Sequence, residues 1–476
     1  MQDVDEAAAP RMPGGASGAV PPLREEDDGH INPDFVAAVG EAVGRADGER
    51  VRVLTADLHE ADVGDLLEAL EPGDRRAFIE LLGRDFDFTA LTEVDDAIRE
   101  DILEELKPET VAEGVRELDS DDAVSILEDL DEADRAEILE RLPAAERDAL
   151  KRSLDYPADS AGRRMQAEFI AVPPFWTVGQ TIDFMRETED LPDTFYEIFV
   201  VDPTHHLCGT VPLDKLLRSK RPVRIADIMR DDPDVVRATD DQEDVARVFQ
   251  HYNLVSAAVT DESGRLVGVI MIDDIVDVIE EEADEDLKAL GGVNAEEELS
   301  DDVLYTVRSR FPWLLANMVA ALVASSVIRL FEDSIERMIA LAVLMPIVAS
   351  MGGNAGTQTM TVTVRALATR DLSRANAWRI IRREVCVGIL NGLGFAVIMG
   401  VIAALWFGIT DLGVVIGLAL LTVLSVAALG GILIPLLLNR LGVDPAVSSG
   451  PFVTTITDIV GFFAFLGIAT LWFGLG

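Results

Sequence analysis

The sequence predicts a multidomain membrane protein. Its parts are an α-helical superhelix, a tandemly repeated α/β pair, a connecting acidic helix and a five-helix transmembrane domain. Three observations predict it. Charge is split along the chain: residues 1–310 hold 31 basic and 78 acidic side chains, a balance of −47, whereas residues 311–476 hold 9 and 8, a balance of +1. The second part is a series of long apolar runs. The first part contains two internal repeats of different period.

Composition excludes several classes. Lys plus Arg is 40 and Asp plus Glu is 86 over 476 residues, a net charge of −46. Binding to a nucleic acid would set like charge against like charge. At 49% hydrophobic residues the chain is too apolar for a disordered acidic polymer. Two cysteines exclude a disulfide framework.

The membrane part, 310–476, divides by its runs. Uncharged stretches cover 311–328, 338–364, 385–410 and 412–439, and a fifth covers 445–476 with Asp458 as its one interruption. Each can cross about 30 Å of hydrocarbon at 1.5 Å per residue. The loop after the second run carries Arg365, Arg370, Arg374, Arg379, Arg382 and Arg383, and Arg440 follows the fourth. The segment around Glu332, Asp333 and Glu336 is acidic, and the link at Asp411 has no cation. Positive loops stay inside. A multi-pass plasma-membrane protein with a cytoplasmic N-terminus and an outside C-terminus is therefore expected. Met1-Gln2-Asp3-Val4-Asp5 lacks the basic start and apolar core of a signal peptide.

Residues 1–30, rich in Gly, Pro, Ala and acid, are expected to be a disordered acidic N-terminus. Over 31–159 a twelve-residue period follows. Leu58, Leu70, Leu82, Val94, Leu106, Leu118, Leu130, Leu142 and Leu154 mark it, with breaks such as Pro108, Asp131 and Pro143. Short amphipathic helices stacked into a superhelix fit that period.

A second repeat spans 160–224 and 225–280. Val200-Val201-Asp202, Gly209 and Leu213-Asp214 recur 59 residues later as Val259-Thr260-Asp261, Gly268 and Ile272-Asp273. Each unit predicts strand, helix, strand, turn, strand, helix, with 261–265 as a hairpin turn. The arrangement resembles a tandem pair of CBS domains, which sense ligands.

Asp273, Asp274, Asp277, Glu280, Glu281, Glu282, Asp284, Glu285 and Asp286 then lead into a connecting segment, 281–309. Helical spacing places Asp274, Asp277 and Glu281 on one face, with Glu285 a turn further. Like charges so spaced repel. A divalent cation would neutralise them, because hard cations take several carboxylate oxygens and waters. A solvated acidic helix is the plainer alternative.

Two polar features interrupt the membrane part. Gly352-Gly353-Asn354-Ala355-Gly356-Thr357-Gln358 permits close helix approach, and its amides can line a pore. Asp458 sits within Thr454-Thr455-Ile456-Thr457-Asp458 with no intramembrane Lys or Arg to pair with it. An intramembrane carboxylate is costly and marks a functional site. Asp458 is the candidate ion-binding residue, and Asn354, Thr454 and Thr457 are candidate pore-lining residues.

The order of parts, with the motifs at Tyr156–Arg163, Gly352–Gly356 and Thr457-Asp458, resembles the MgtE family of magnesium channels and transporters over about residues 31–476. The resemblance implies a homodimer with the pore between protomers and Asp458 holding a largely hydrated Mg2+. It implies regulatory Mg2+ sites at Asp274, Asp277, Glu282, Glu285, Asp286 and Glu243. Where the family often has Asp, this chain has Asn253, which removes one carboxylate. ATP binding to the CBS pair is known in the family, although no phosphate-cradling loop is visible. No Gly-x-x-x-x-Gly-Lys-Ser/Thr motif suggests ATP hydrolysis. Uptake is expected to be passive, since the membrane potential supplies about 4.6 kcal/mol per 100 mV for a divalent ion. Cytosolic Mg2+ binding to the acidic parts is expected to close the pore, a negative feedback for magnesium homeostasis. A nucleotide sensor merely anchored by its spans is the alternative, but an anchor needs no intramembrane carboxylate. No nucleophile–base pair or catalytic metal motif suggests an enzyme. Five lysines against 35 arginines, with acid in excess, suit a salt-loving host, where the Debye length falls to about 3 Å.

Overall fold

The computed structural model describes residues 21–25, 29–188, 191–192, 194–295, 297, 303–372 and 375–475. The expected disorder of residues 1–20 and 26–28 lies outside the described residues. Residues 21–25 are tied down. Arg24 bridges to Ile31 and its guanidinium reaches Asp62 and Asp65, each at 2.6 Å. The chain divides into two compact units, Met1–Ile279 and Glu280–Gly476.

In the first unit the twelve-residue period becomes a stack of short helices. Its members include Glu60–Ala69, Pro72–Leu82, Asp96–Glu105, Pro108–Val115, Ser120–Glu128, Glu132–Arg141 and Ala144–Leu154. The periodic leucines fall at helix ends: Leu70, Leu106 and Leu142 are C-caps, and Leu82 and Leu154 are last residues. There the chain turns while the side chain stays in one continuous core. Pro72 and Pro108 open helices, where a missing N–H costs nothing. Arginines add a regularity that the hydrophobic pattern does not show. Arg75 donates from Nε to the Leu67 carbonyl at 3.0 Å, and Arg135 to the Leu127 carbonyl at 2.8 Å. Each guanidinium satisfies carbonyls left unpaired at the end of the preceding helix.

The tandem pair follows as two three-stranded sheets. One holds β1 (Ala171–Val172), β2 (Glu197–Val201) and β3 (Leu207–Pro212); the other holds β4 (Val235–Arg237), β5 (Ser256–Thr260) and β6 (Leu266–Met271). In both, the first two strands are parallel and the last two antiparallel, with a register shift at Val200/Val201 and again at Val259/Thr260. The hairpin turns match as well. Asp202 accepts from the amides of Thr204 and His206, and Asp261 from those of Ser263 and Arg265. The left-handed position of each turn is His205 (φ +62°) or Gly264 (φ +79°). The last helix of the second repeat does not stop at 280. It runs unbroken as Ile272–Gly291, the connecting helix.

The second unit contains five helices long and apolar enough to span a membrane: Val303–Arg329, Ala340–Ala368, Ala377–Phe407, Thr410–Arg440 and Ser449–Phe473. The first begins eight residues before its uncharged run, because Val303–Arg310 continues the same helix. The fourth is central: Val415, Ile416, Ala419, Leu420 and Val423 are buried against the second, third and fifth. Small residues set these contacts. Gly388 lies against the Leu424 backbone and Gly400 against Gly413. Gly431 meets the Gly356 carbonyl, and Gly352 and Gly356 both face Thr457. Such close approach replaces the hydrophobic drive that lipid does not supply.

Candidate functional site

In the first unit, two helix N-termini are lined with acid. Ser120–Glu128 carries Asp121 and Asp122 in its first turn, and the connecting helix carries Asp273 and Asp274 in its own. Carboxylates suit a helix N-terminus. Here, however, they face one another. Burial, then Asp274 and Asp122, hold the Asp121 carboxyl well above the usual carboxylate range. Asp122 is pushed up to about 6 by burial and by Asp119, Glu93, Asp273 and Asp277. Asp274 is pushed up to about 8 by burial, Asp273, Asp122 and Asp277, against the Met271 amide that donates to it at 3.3 Å. Burial and Asp277 also raise Glu93. Among the described residues, no three Asp, Glu, His or Cys side chains converge closely enough to form a ready-made ion cage. The cluster is a set of mutually repelling groups.

Asp274 and Asp277 were legible in sequence; Asp119, Asp121, Asp122 and Glu93 were not. Their local signal, acid at a helix start, recurs in most helices of the stack. Only the fold selects this set. Glu243 stands on the helix Gln242–Tyr252 and pairs with Arg247 at 2.9 Å. Asn253 ends that helix in the left-handed conformation (φ +54°), which Asn tolerates well. The residue that stands where a carboxylate was expected thus ends a helix, its backbone N–H donating to the Phe249 carbonyl.

A cleft in the tandem pair is lined by Glu168, Phe169, Tyr196 and Glu197. Its charged lining among the described residues is the carboxylates of Glu168 and Glu197.

In the second unit, Glu282, Glu285 and Asp286 lie on the connecting helix. Glu285 is exposed and Asp286 half-buried. Burial and Asp444 raise the Asp286 carboxyl, against the pull of Arg365. Asp444 caps the fifth membrane helix, accepting from the Ala446 amide at 2.8 Å. Next to this point, Ala289 and Leu290 pack on Met360, Val364, Ala446 and Val453. The end of the connecting helix is thereby seated on the second and fifth spans. Asp444 was missed in sequence because it lies in a short loop.

Within the spans, Asp458 is half-buried and makes no hydrogen bond or ion pair among the described residues. Thr454, one turn earlier, is exposed, as are Asn354 and Ser350 on the second span. Thr457 differs. It is 1% exposed, packs on Gly352 and Gly356, and donates to the Thr454 carbonyl at 2.9 Å. It is a helix-packing residue rather than a lining one.

Comparison with known proteins follows the same division. Residues 345–468 match the MgtE divalent cation transporter family, residues 58–159 the MgtE intracellular N domain and residues 225–281 the CBS domain. The magnesium transporter MgtE of Enterococcus faecalis is 36% identical over 423 residues, covering 88% of this chain and 93% of that protein. That of Thermus thermophilus is 38% identical over 331 residues, covering 69% and 72%. Among solved structures, the cytosolic domain of the Mg2+ channel MgtE in complex with ATP is 28% identical and covers 51% of this chain and 99% of that one, with a TM-score of 0.43. This multi-pass, non-enzymatic membrane protein belongs to the MgtE family of magnesium transporters.

Proposed function

We propose that the chain is a homodimeric channel for passive Mg2+ uptake that cytosolic Mg2+ closes. The observation that carries this is Asp458, an unpaired carboxylate inside a span, with Thr454 beside it and Asn354 and Ser350 exposed on another span. Polar faces on apolar helices need water or a partner. A second copy of the chain, with a wet path between the two, supplies both. Mg2+ gives up water reluctantly. Two Asp458 carboxylates attract the hydrated ion without stripping it.

The acid clusters support the feedback. Asp121, Asp122, Asp273, Asp274 and Asp277 repel at low Mg2+. So do Asp286 and Asp444, beside the seat of the connecting helix. Bound Mg2+ would offset both repulsions and hold that helix on the spans, with Glu243, Glu282 and Glu285 as further acidic donors. A 1:99 to 99:1 switch needs about 5.5 kcal/mol of differential binding, which several shared ions can supply. The positive-inside pattern supports an inside N-terminus and an outside C-terminus. The excess of acid supports a high-salt host.

The test is Mg2+ flux into liposomes holding the purified full chain. Uptake should follow an imposed inside-negative potential without ATP and fall as internal Mg2+ rises. Absence of flux would favour spans that serve only as an anchor.

A further inference from the structure

We infer that the second unit holds a binding site for an anionic phospholipid, between the end of the connecting helix and the start of the first span. The site is a cavity of about 730 Å³ whose lining includes Gly292, Leu304, Tyr305, Arg308, Pro312 and Trp313. Three observations point to that occupant.

The first is depth. The first span has 27 residues, about 40 Å at 1.5 Å per residue, whereas hydrocarbon occupies about 30 Å. Its uncharged run begins at 311, so the turns carrying Tyr305 and Arg308 lie at headgroup level. Tyr and Trp favour that level.

The second is charge. In a chain of net charge −46, the polar lining here among the described residues is Asn294, Tyr305, Arg308 and Ser309, with no carboxylate among them. Arg308 is exposed and makes no ion pair or hydrogen bond among the described residues. Its neighbour Arg310 is engaged with Glu297 at 2.6 Å. One cation is thus committed to protein and the other stands available to a phosphate.

The third is the apolar floor. Leu304, Pro312 and Trp313 continue into Phe311, Leu314 and Leu315, which are exposed on the first span. An acyl chain can lie along that face while its phosphate meets Arg308. Gly292 holds the floor open. Its φ is +72°, and a Cβ there would fall 1.6 Å from Trp313 Nε1, so the indole rests on bare backbone. The lipid would then touch the connecting helix and the first span together. The inference requires only that the chain sits in a bilayer, and it stands whether or not the proposed gating is correct.

The experiment uses the full chain in vesicles of phosphatidylcholine and phosphatidylglycerol. Trp313 is kept as the sole indole by replacing Trp176, Trp378, Trp406 and Trp472 with Phe. Bromine is placed on the acyl chains of one lipid at a time, so that quenching of Trp313 reports which lipid occupies the site. Brominated phosphatidylglycerol should be preferred about fivefold, the value of one cation near an anionic headgroup. Arg308→Gln should bring the ratio to about one, and Arg308→Lys should keep most of it. Equal quenching by both lipids, or a preference that survives Arg308→Gln, overturns the inference. So does absence of quenching, which would mean that protein fills the cavity. Relief of quenching by millimolar inorganic phosphate also overturns it, because the site would then take free phosphate. Mass spectrometry of lipid retained by the chain with all its tryptophans supplies a second measurement. Phosphatidylglycerol per protomer should fall on Arg308→Gln, and an unchanged amount counts against the site.

Discussion

Glu168 caps a helix that begins 48 residues earlier. Its carboxylate accepts from the Ser120 hydroxyl at 2.7 Å and from the Ser120 amide at 3.3 Å, while that hydroxyl accepts from the Ala167 amide at 2.7 Å. Asp119, at the N-cap, makes no cap bond with its own side chain. The clasp therefore fixes the helix whose next residues are Asp121 and Asp122. Glu168→Ala leaves the donors of the buried Ser120 unpaired. A loss of about 1–2 kcal/mol is expected. Ser120→Ala should cost about 1 kcal/mol, and the double variant should be less than additive. Thermal melting of the full chain in detergent checks this; unchanged melting in both single variants would remove the clasp from the account.

The pH dependence of the first unit follows from raised carboxyl groups, and its sign is opposite to the usual one. Asp122 at about 6 and Asp274 at about 8 bind protons in the folded state that they release when unfolded, where Asp titrates near 3.9. Between about pH 4 and pH 8 the folded state holds more protons, so stability falls as pH rises. Without Mg2+, melting should drop between pH 5 and pH 9. Asp274→Asn should flatten that drop and raise stability at pH 8. Added Mg2+ should restore the wild-type chain more at pH 8 than at pH 5. A melting temperature that climbs with pH would contradict the cluster as described.

Period and charge made the large divisions legible in the sequence. Leucines twelve apart located the helix ends, the 59-residue offset located matching turns, and Asp458 stood out by being charged where nothing else was. Contacts between distant segments were not legible. Nothing local separates Asp121 and Asp122 from acids at other helix starts, and Asp444 looks like an ordinary loop residue. Thr457 shows the converse. Its sequence neighbours suggested a lining role, but a helix has several faces, and its own is turned to Gly352 and Gly356. The connecting helix began earlier than expected because no residue between Ile272 and Gly291 breaks it.

Two glycines of the membrane domain should respond in opposite ways to a single methyl group. At Gly431 a Cβ would lie 2.7 Å from the Gly356 carbonyl and 3.0 Å from the Met360 amide, both backbone atoms that cannot step aside. At Gly353 nothing lies within 4 Å. Gly431→Ala should force the second and fourth spans apart at a cost of about 1–3 kcal/mol. Gly353→Ala should leave the folding of the protomer unchanged. Thermal stability in detergent, read by size-exclusion recovery after heating, separates the two. Equal recovery would show that the close helix approach is not what holds these spans.

Asp286 and Asp444 test the switch where the connecting helix meets the spans. Asp286→Asn with Asp444→Asn removes both the repulsion and the negative charge that an ion would bridge. Seating of the helix should then depend less on Mg2+. Protease protection of the connecting segment in the full chain should vary little between low and high Mg2+. If it varies as in the wild type, the ion acts elsewhere.

Asp458 carries the largest expected effect. Asp458→Asn keeps the shape of the side chain and removes its charge. Among the described residues the carboxylate holds no partner, so its loss breaks no hydrogen bond or ion pair and the fold should survive. The path loses the one carboxylate that the spans carry mid-helix, and with it the attraction for a hydrated divalent ion. Mg2+ flux into liposomes should fall to near background. Melting, and the Mg2+ response of the first unit, should stay as in the wild type, because that response is read by Asp121, Asp122 and Asp274 on other elements. Asp458→Glu should retain part of the flux, since charge persists while its position shifts by about 1.5 Å along the longer side chain. Normal flux through a correctly assembled Asp458→Asn chain would mean that the carboxyl is protonated and serves helix packing, and the ion would have to be sought along another face.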